Sequence, residues 1–130
     1  MARNTRIYSD FNLLFSRHPV SGDVNIKTNE ESIKASIRNL ILTKNYERPF
    51  HPEIGCQLHS MLFENFTPVA VQIMKKTISD TIRKFEPRIS LLEVRLQDNQ
   101  DQNRVDLDIV FKINNNDRPV TLSTYITRVR

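Results

Sequence analysis

The hydrophobic period of this chain changes at one place, the tripeptide Glu86-Pro87-Arg88, and that change limits what it can fold into. Upstream, Val71, Met74, Ile78, Ile82 and Phe85 recur at i, i+3, i+7, i+11 and i+14, with Ala70 and Ile73 widening the stripe. That spacing predicts one long amphipathic helix. Thr67 as N-cap and Pro68 at the first helical position set its start, so it spans about 68–85. Pro87 ends it, since a proline ring and its missing N–H cannot continue a helix. Downstream the period becomes 2. Leu92, Val94 and Leu96 alternate with Glu93, Arg95 and Gln97. After the polar turn at 98–103, Val105, Leu107, Ile109, Phe111 and Ile113 alternate with Arg104, Asp106, Asp108, Val110 and Lys112. A second polar turn, 114–118, leads to Val120, Leu122 and a threonine-rich strand. The pattern predicts a three-stranded antiparallel β-meander, about 90–97, 105–113 and 120–129, with one apolar and one polar face. Helices packed on the apolar face make a two-layer α+β fold.

Thr28 and Glu31 have capping-box spacing, and Ile33, Ile37, Leu40 and Ile41 form one stripe, predicting a helix over about 29–42. Pro49 and Pro52 exclude a helix next, and a short one restarts near Gly55, over Cys56–Phe63, with Leu58, Met61 and Leu62 inward. In the connecting stretch, Phe50 and Ile54 are expected to anchor into the core while Gly55 permits the turn. Residues 1–27 read as a semi-extended arm. Ile7, Phe11, Leu13, Leu14 and Phe15 give it an apolar density that calls for cover from its own domain or a neighbour. The expectation is one domain over 1–130: arm 1–27, helical part 28–88, meander 89–130.

Composition removes several function classes. No apolar run approaches the ~20 residues of a membrane span, and Asp10, Asn12 and Arg17 interrupt the opening stretch where a leader's apolar segment would lie. A single cysteine permits no internal disulfide. The net charge of +4 invites a nucleic-acid reading, but lysines and arginines are interleaved with acids, without an aromatic-basic repeat, so no nucleic-acid partner is expected.

Catalytic chemistry concentrates only in Tyr46–Cys56 and just beyond. Cys56 and His59 sit at i, i+3, yet no third group orients the histidine and no glycine-rich oxyanion hole is near, so the bland reading is a buried thiol. His51, Glu53, Cys56 and His59 fit no zinc spacing. Glu47, Glu53, Glu64 and Glu86 supply carboxylates for glycoside hydrolysis, but the chain has no tryptophan to stack on a sugar. Two distant glycines exclude a phosphate-binding loop. No cofactor or metal is expected. What remains is two polar-proline corners and a sheet with open edges. Arg48 and Glu47 either face a neighbour or brace Glu86. Arg88 either captures a partner carboxylate or caps the preceding helix.

The segments "IRNLILT", "ERPFHPEIGC", "LFENFTP" and "FEPRI", in this order, resemble the gene-product-twenty-five family of baseplate wedge proteins. These are the tail sheath initiators of contractile-tailed bacteriophages, with relatives in type VI secretion baseplates. The resemblance implies a non-enzymatic virion component of the tail baseplate, assembled in the host cytoplasm, in six copies around the tail. It implies partners among other wedge proteins, the tail sheath protein and tail tube proteins, with a sheet edge that accepts sheath arms. Carried over, the wedge contact falls on Glu86, Pro87 and Arg88. The last strand, with Val120, Leu122, Thr124 and Ile126, is the candidate edge for the sheath arm. A lysozyme-like muralytic activity, suspected of relatives, is the alternative the resemblance carries.

Overall fold

The structure, a computed structural model, describes residues 7–128. The chain divides into two compact units, 1–36 and 37–130, with the division inside the first helix. In the first unit the arm folds back on itself. β1 (Ser9–Phe11) pairs antiparallel with β2 (Ile26–Thr28), and a bridge between Arg17 and Val24 closes the loop between them. Helix α1 (Asn29–Leu42) starts directly from β2. Asn29 makes that turn in the left-handed region, φ +49°, which a short polar side chain tolerates. Its Oδ1 accepts the backbone N–H groups of Ile7 and Tyr8 at 2.9 and 3.2 Å, tying the hairpin to the helix start. Phe11, Leu13, Leu14 and Phe15 stay exposed, Leu14 by 85%. The cover that their density calls for does not come from the described residues of this unit.

The second unit contains the end of α1, a short α2 (Leu58–Met61), the long α3 (Pro68–Phe85), and the strands β3 (Ile89–Asn99), β4 (Arg104–Ile113) and β5 (Pro119–Thr127). The strands form one antiparallel sheet in the order β3-β4-β5, and α3 packs on β3. α1 and α3 have the bounds that capping and periodicity predict. Thr67 accepts the Ala70 N–H at 3.1 Å, a cap worth about 1 kcal/mol. Met74, Ile78 and Ile82 are fully buried, each contributing roughly 2 kcal/mol by leaving water.

The sheet carries cross-strand rows on its inner face: Leu91–Phe111–Val120, Val94–Ile109–Leu122 and Leu96–Leu107–Thr124. One sequence expectation fails here. Leu92 does not join Val94 and Leu96 on the apolar face, because a β-bulge between Leu91 and Glu93 leaves it unpaired. A bulge inserts one residue and resets the parity of the strand. Leu92 is therefore 51% exposed, and Leu91 takes the inward place beside Phe111.

The connection from α1 to α2 is held by backbone. Cys56 donates its N–H to Thr43 O at 2.8 Å and Tyr46 donates to Pro52 O at 2.9 Å. Gly55 sits at φ +146°, where a Cβ would lie 2.7 Å from the Lys44 carbonyl carbon, so only glycine lets the two backbones approach. This closure turns Phe50 outward. It is 96% exposed, not anchored in the core as expected, while Ile54 is half-buried.

The bulge makes a sharp stability prediction. Leu92→Lys should shift the denaturation midpoint by less than about 0.5 kcal/mol in stability, as for other exposed sites. Val94→Lys, which buries a charge, should cost more than about 3 kcal/mol or prevent folding. Urea titrations of the two variants measure the difference; equal losses would contradict the register.

Candidate functional site

The corner at 86–88 is built by three successive residues with different tasks. Glu86 closes α3 by donating its N–H to Ile82 O at 2.8 Å. Its side chain turns inward and is 3% exposed. Arg88, 29% exposed, holds that carboxylate with a two-pronged fork: Nε donates to Oε1, and Nη2 donates to Oε2 at 2.8 Å. Planar guanidinium and carboxylate match in this geometry, which suits a charge pair withdrawn from water. The fork turns the guanidinium toward the carboxylate two residues before it, a contact that neither sequence reading of Arg88 named.

The second turn of the meander braces this corner from a distance in sequence. Asn114 Nδ2 donates to Pro87 O at 2.8 Å, and Asn114 N–H donates to Arg88 O at 3.0 Å. Ser90 Oγ donates to Asn114 Oδ1 at 3.2 Å. Pro87 itself is exposed. Sequence reading missed Asn114, since an asparagine in a polar turn signals only the turn.

Arg48 and Glu47 lie on the exposed α1–α2 connection. Glu47 Oε2 accepts the Lys44 N–H at 2.8 Å, a local loop bond. Glu86 is held by the Arg88 fork, and Arg48 is exposed. Tyr46 and Phe50, flanking Arg48, are both largely exposed and both at positive φ, +66° and +69°.

The catalytic candidates are dispersed or committed. Cys56 is buried, and burial pushes its thiol pKa up, away from a nucleophilic thiolate. His59 Nε2 faces Leu42 O at 3.1 Å, at the end of α1 rather than at a thiol. Glu53 pairs with His51 at 3.3 Å. Its carboxyl is held below its ordinary range, chiefly by its own backbone N–H, the reverse of what a general acid needs. Glu64 lines a groove with Asp98, whose carboxylate is paired with Arg128 at 2.8 Å. Among the described residues, no three or more His, Cys, Asp or Glu side chains converge on one point.

The sheet edge follows from the bonding alternation of antiparallel strands. Asn114 N–H to Arg88 O on one side of β4, and Arg128 N–H to Asn103 O at 2.9 Å on the other, fix that alternation. With the observed register, Val120, Leu122, Thr124 and Ile126 direct their backbone groups at β4. The side chains of Val120, Leu122 and Ile126 are buried in the core. The free backbone of the edge belongs instead to Thr121, Ser123, Tyr125 and Thr127, whose side chains lie on the exposed face. The candidate strand is thus an edge, but its edge donors are the residues between those singled out by sequence. At its far end Arg128 is clasped by Asp98, by the Phe66 ring at 5.9 Å and by Asn103, whose Nδ2 donates to Arg128 O at 2.8 Å.

The fork predicts an asymmetric mutational result. Arg88→Ala leaves a buried carboxylate without its guanidinium and should destabilise by about 3 kcal/mol, whereas replacing both residues by apolar ones of similar size should recover most of the loss. Thermal unfolding of the single and double variants measures this; an Arg88→Ala protein as stable as the parent would contradict the role.

Comparisons with known proteins agree with the motifs. The family described as baseplate wedge protein gp25 matches residues 27–118. Baseplate wedge protein gp25 of Enterobacteria phage T4 is 34% identical over 116 residues, covering 89% of this chain and 87% of that protein. Among solved structures, a Geobacter sulfurreducens chain named as a tail lysozyme superposes with a TM-score of 0.72 at 24% identity, over 78% of this chain and 92% of its own. A chain of the anti-feeding prophage baseplate superposes at 0.65 with 21% identity, over 95% and 87%. At these identities the structural likenesses establish the shared fold, while the profile match and the T4 relative establish descent: the chain belongs to the baseplate wedge protein gp25 family.

Proposed function

We propose that this baseplate wedge protein starts the contractile sheath, by adding a strand of the sheath arm to the free edge of β5. The observation that carries the reading is the condition of that edge. β5 pairs with β4 without a bulge from Pro119 to Thr127, and its exposed positions are Thr121, Ser123, Tyr125 and Thr127 rather than lysines. Exposed strands are normally guarded by bulges, charges or prolines, and an unguarded one accepts a strand from another chain. The opposite edge, β3, is guarded: it has the bulge at Leu92, and the Glu93–Arg95 ion pair at 2.7 Å projects from it. Pro119 stands only at the first position of β5, where it costs the ladder nothing.

The other faces suit a subunit held among neighbours. Pro87 and the exposed part of Arg88 form the wedge-facing corner, with Glu86 behind them as its internal brace. Glu47, Arg48 and the outward Tyr46 and Phe50 offer a second surface to wedge proteins, and the exposed arm residues a third. Six copies around the tail, with sheath and tube proteins as neighbours and no catalytic turnover, complete the reading. A muralytic role has no comparable support, because Glu47, Glu53 and Glu86 are each engaged by a local partner, and Asp98, which shares a groove with Glu64, is paired with Arg128.

Proline substitution separates strand addition from folding. Ser123→Pro removes an N–H that points away from β4, so the protein should fold and enter baseplates. Tails built with it should lack sheath. Leu122→Pro removes a ladder bond and should cost about 3 kcal/mol or more. Electron microscopy of tails, with circular dichroism of each variant, reads both results; normal sheaths on Ser123→Pro baseplates would sink the proposal.

A further inference from the structure

Beside the free edge of β5 lies a groove of about 350 Å³, lined by Arg38 and Leu42 from α1 and by Ser123, Thr124 and Tyr125 from β5. Its position follows from two regularities. Arg38 and Leu42 are one helical turn apart, so both face the same neighbour. Thr124 ends the inner-face row Leu96–Leu107–Thr124, at the margin of the sheet. The groove is therefore where that row continues if a fourth strand is added.

We infer that this groove reads the side chains of the incoming strand, selecting an extended segment with an apolar residue opposite Thr124 and a carboxylate within reach of Arg38. The inference rests on strand addition at β5 and names what that addition recognises. Backbone pairing alone is indifferent to sequence, and specificity in this binding mode comes from pockets for alternate side chains. The lining supplies both halves of such a pocket. Leu42 is 39% exposed and lines the groove together with Thr124, leaving apolar surface that an aliphatic side chain covers. Arg38 is exposed, and among the described residues it makes no ion pair. Arg104, by contrast, is engaged with Asp106 at 2.8 Å and with the Tyr125 ring at 4.8 Å. Arg38 is thus the available cation on the rim. Its planar fork favours a carboxylate, and a lysine arriving there meets like charge, which discriminates against wrong strands.

The test uses purified baseplates carrying variants of this protein and the sheath protein of the same tail, with sheathed tails counted by electron microscopy across sheath concentrations. Arg38→Glu and Leu42→Lys change exposed positions, so their presence in baseplates is confirmed first by immunoblot. Each should raise the sheath concentration needed for half-maximal assembly at least tenfold, and Arg38→Lys should raise it less than Arg38→Glu. A sheath variant with one acid of its joining strand changed to lysine should restore assembly on Arg38→Glu baseplates and lose it on the parent. If Arg38→Glu and Leu42→Lys assemble like the parent while Ser123→Pro blocks, the groove is not read and strand addition stands. If Ser123→Pro also assembles normally, strand addition fails and this inference with it.

Discussion

The two-pronged bond between Arg88 and Glu86 sits where three requirements of the fold meet. The long helix must end, its last turn must stay out of water, and the chain must leave in the direction of a strand. Pro87 meets the first by chemistry alone. The second is harder, because the residue closing the helix is a glutamate with almost no exposure. A buried carboxylate is costly unless it is matched by a charge with the right shape, and the guanidinium two residues later provides it. Directly after it the sheet begins: Asn114 donates to Arg88 O, and Ile89 pairs with Ile113.

From that register the facing of each later strand residue follows by parity. One bulge at Leu92 shifts the side chains of β3 so that Val94 and Leu96, not Leu92, meet Ile109 and Leu107. The same counting carried across β4 decides which residues of β5 spend their backbone groups inside the sheet and which keep them free. The core side chains and the edge amides are alternate residues of one strand. A protein that binds through this edge therefore changes its core and its binding surface independently, residue by residue.

Much of this was legible in the sequence, and the exceptions share a cause. α1 and α3 were readable to their ends because local signals, Thr67-Pro68 above all, coincide with a sustained apolar stripe. The meander was readable from its alternation. What escaped were features set by contacts distant in sequence or by backbone geometry. The doublet Leu91-Leu92 is compatible with either leucine inward, and only the pairing with Phe111 decides. Phe50 is apolar and reads as a core residue, but in the loop closed by the approach of Gly55 to Lys44 it faces out. The arm read as semi-extended closes into a hairpin through pairings such as Ser9 with Thr28 that no local pattern announces. Asn114 braces Pro87 from across the meander, and nothing in its own neighbourhood marks it.

Membership in the baseplate wedge family places the chain in a tail baseplate, and the free edge of β5 is where we propose that the sheath joins it. The claim that β5 accepts a strand is tested most directly by amide hydrogen exchange, resolved to single residues, on baseplates before and after sheath is added. If a strand is added, Thr121, Ser123 and Tyr125 exchange fast on bare baseplates and become protected once sheath joins, while Leu122 and Thr124, already bonded to β4, are slow throughout. Unchanged exchange at Thr121, Ser123 and Tyr125 in sheathed tails would contradict it.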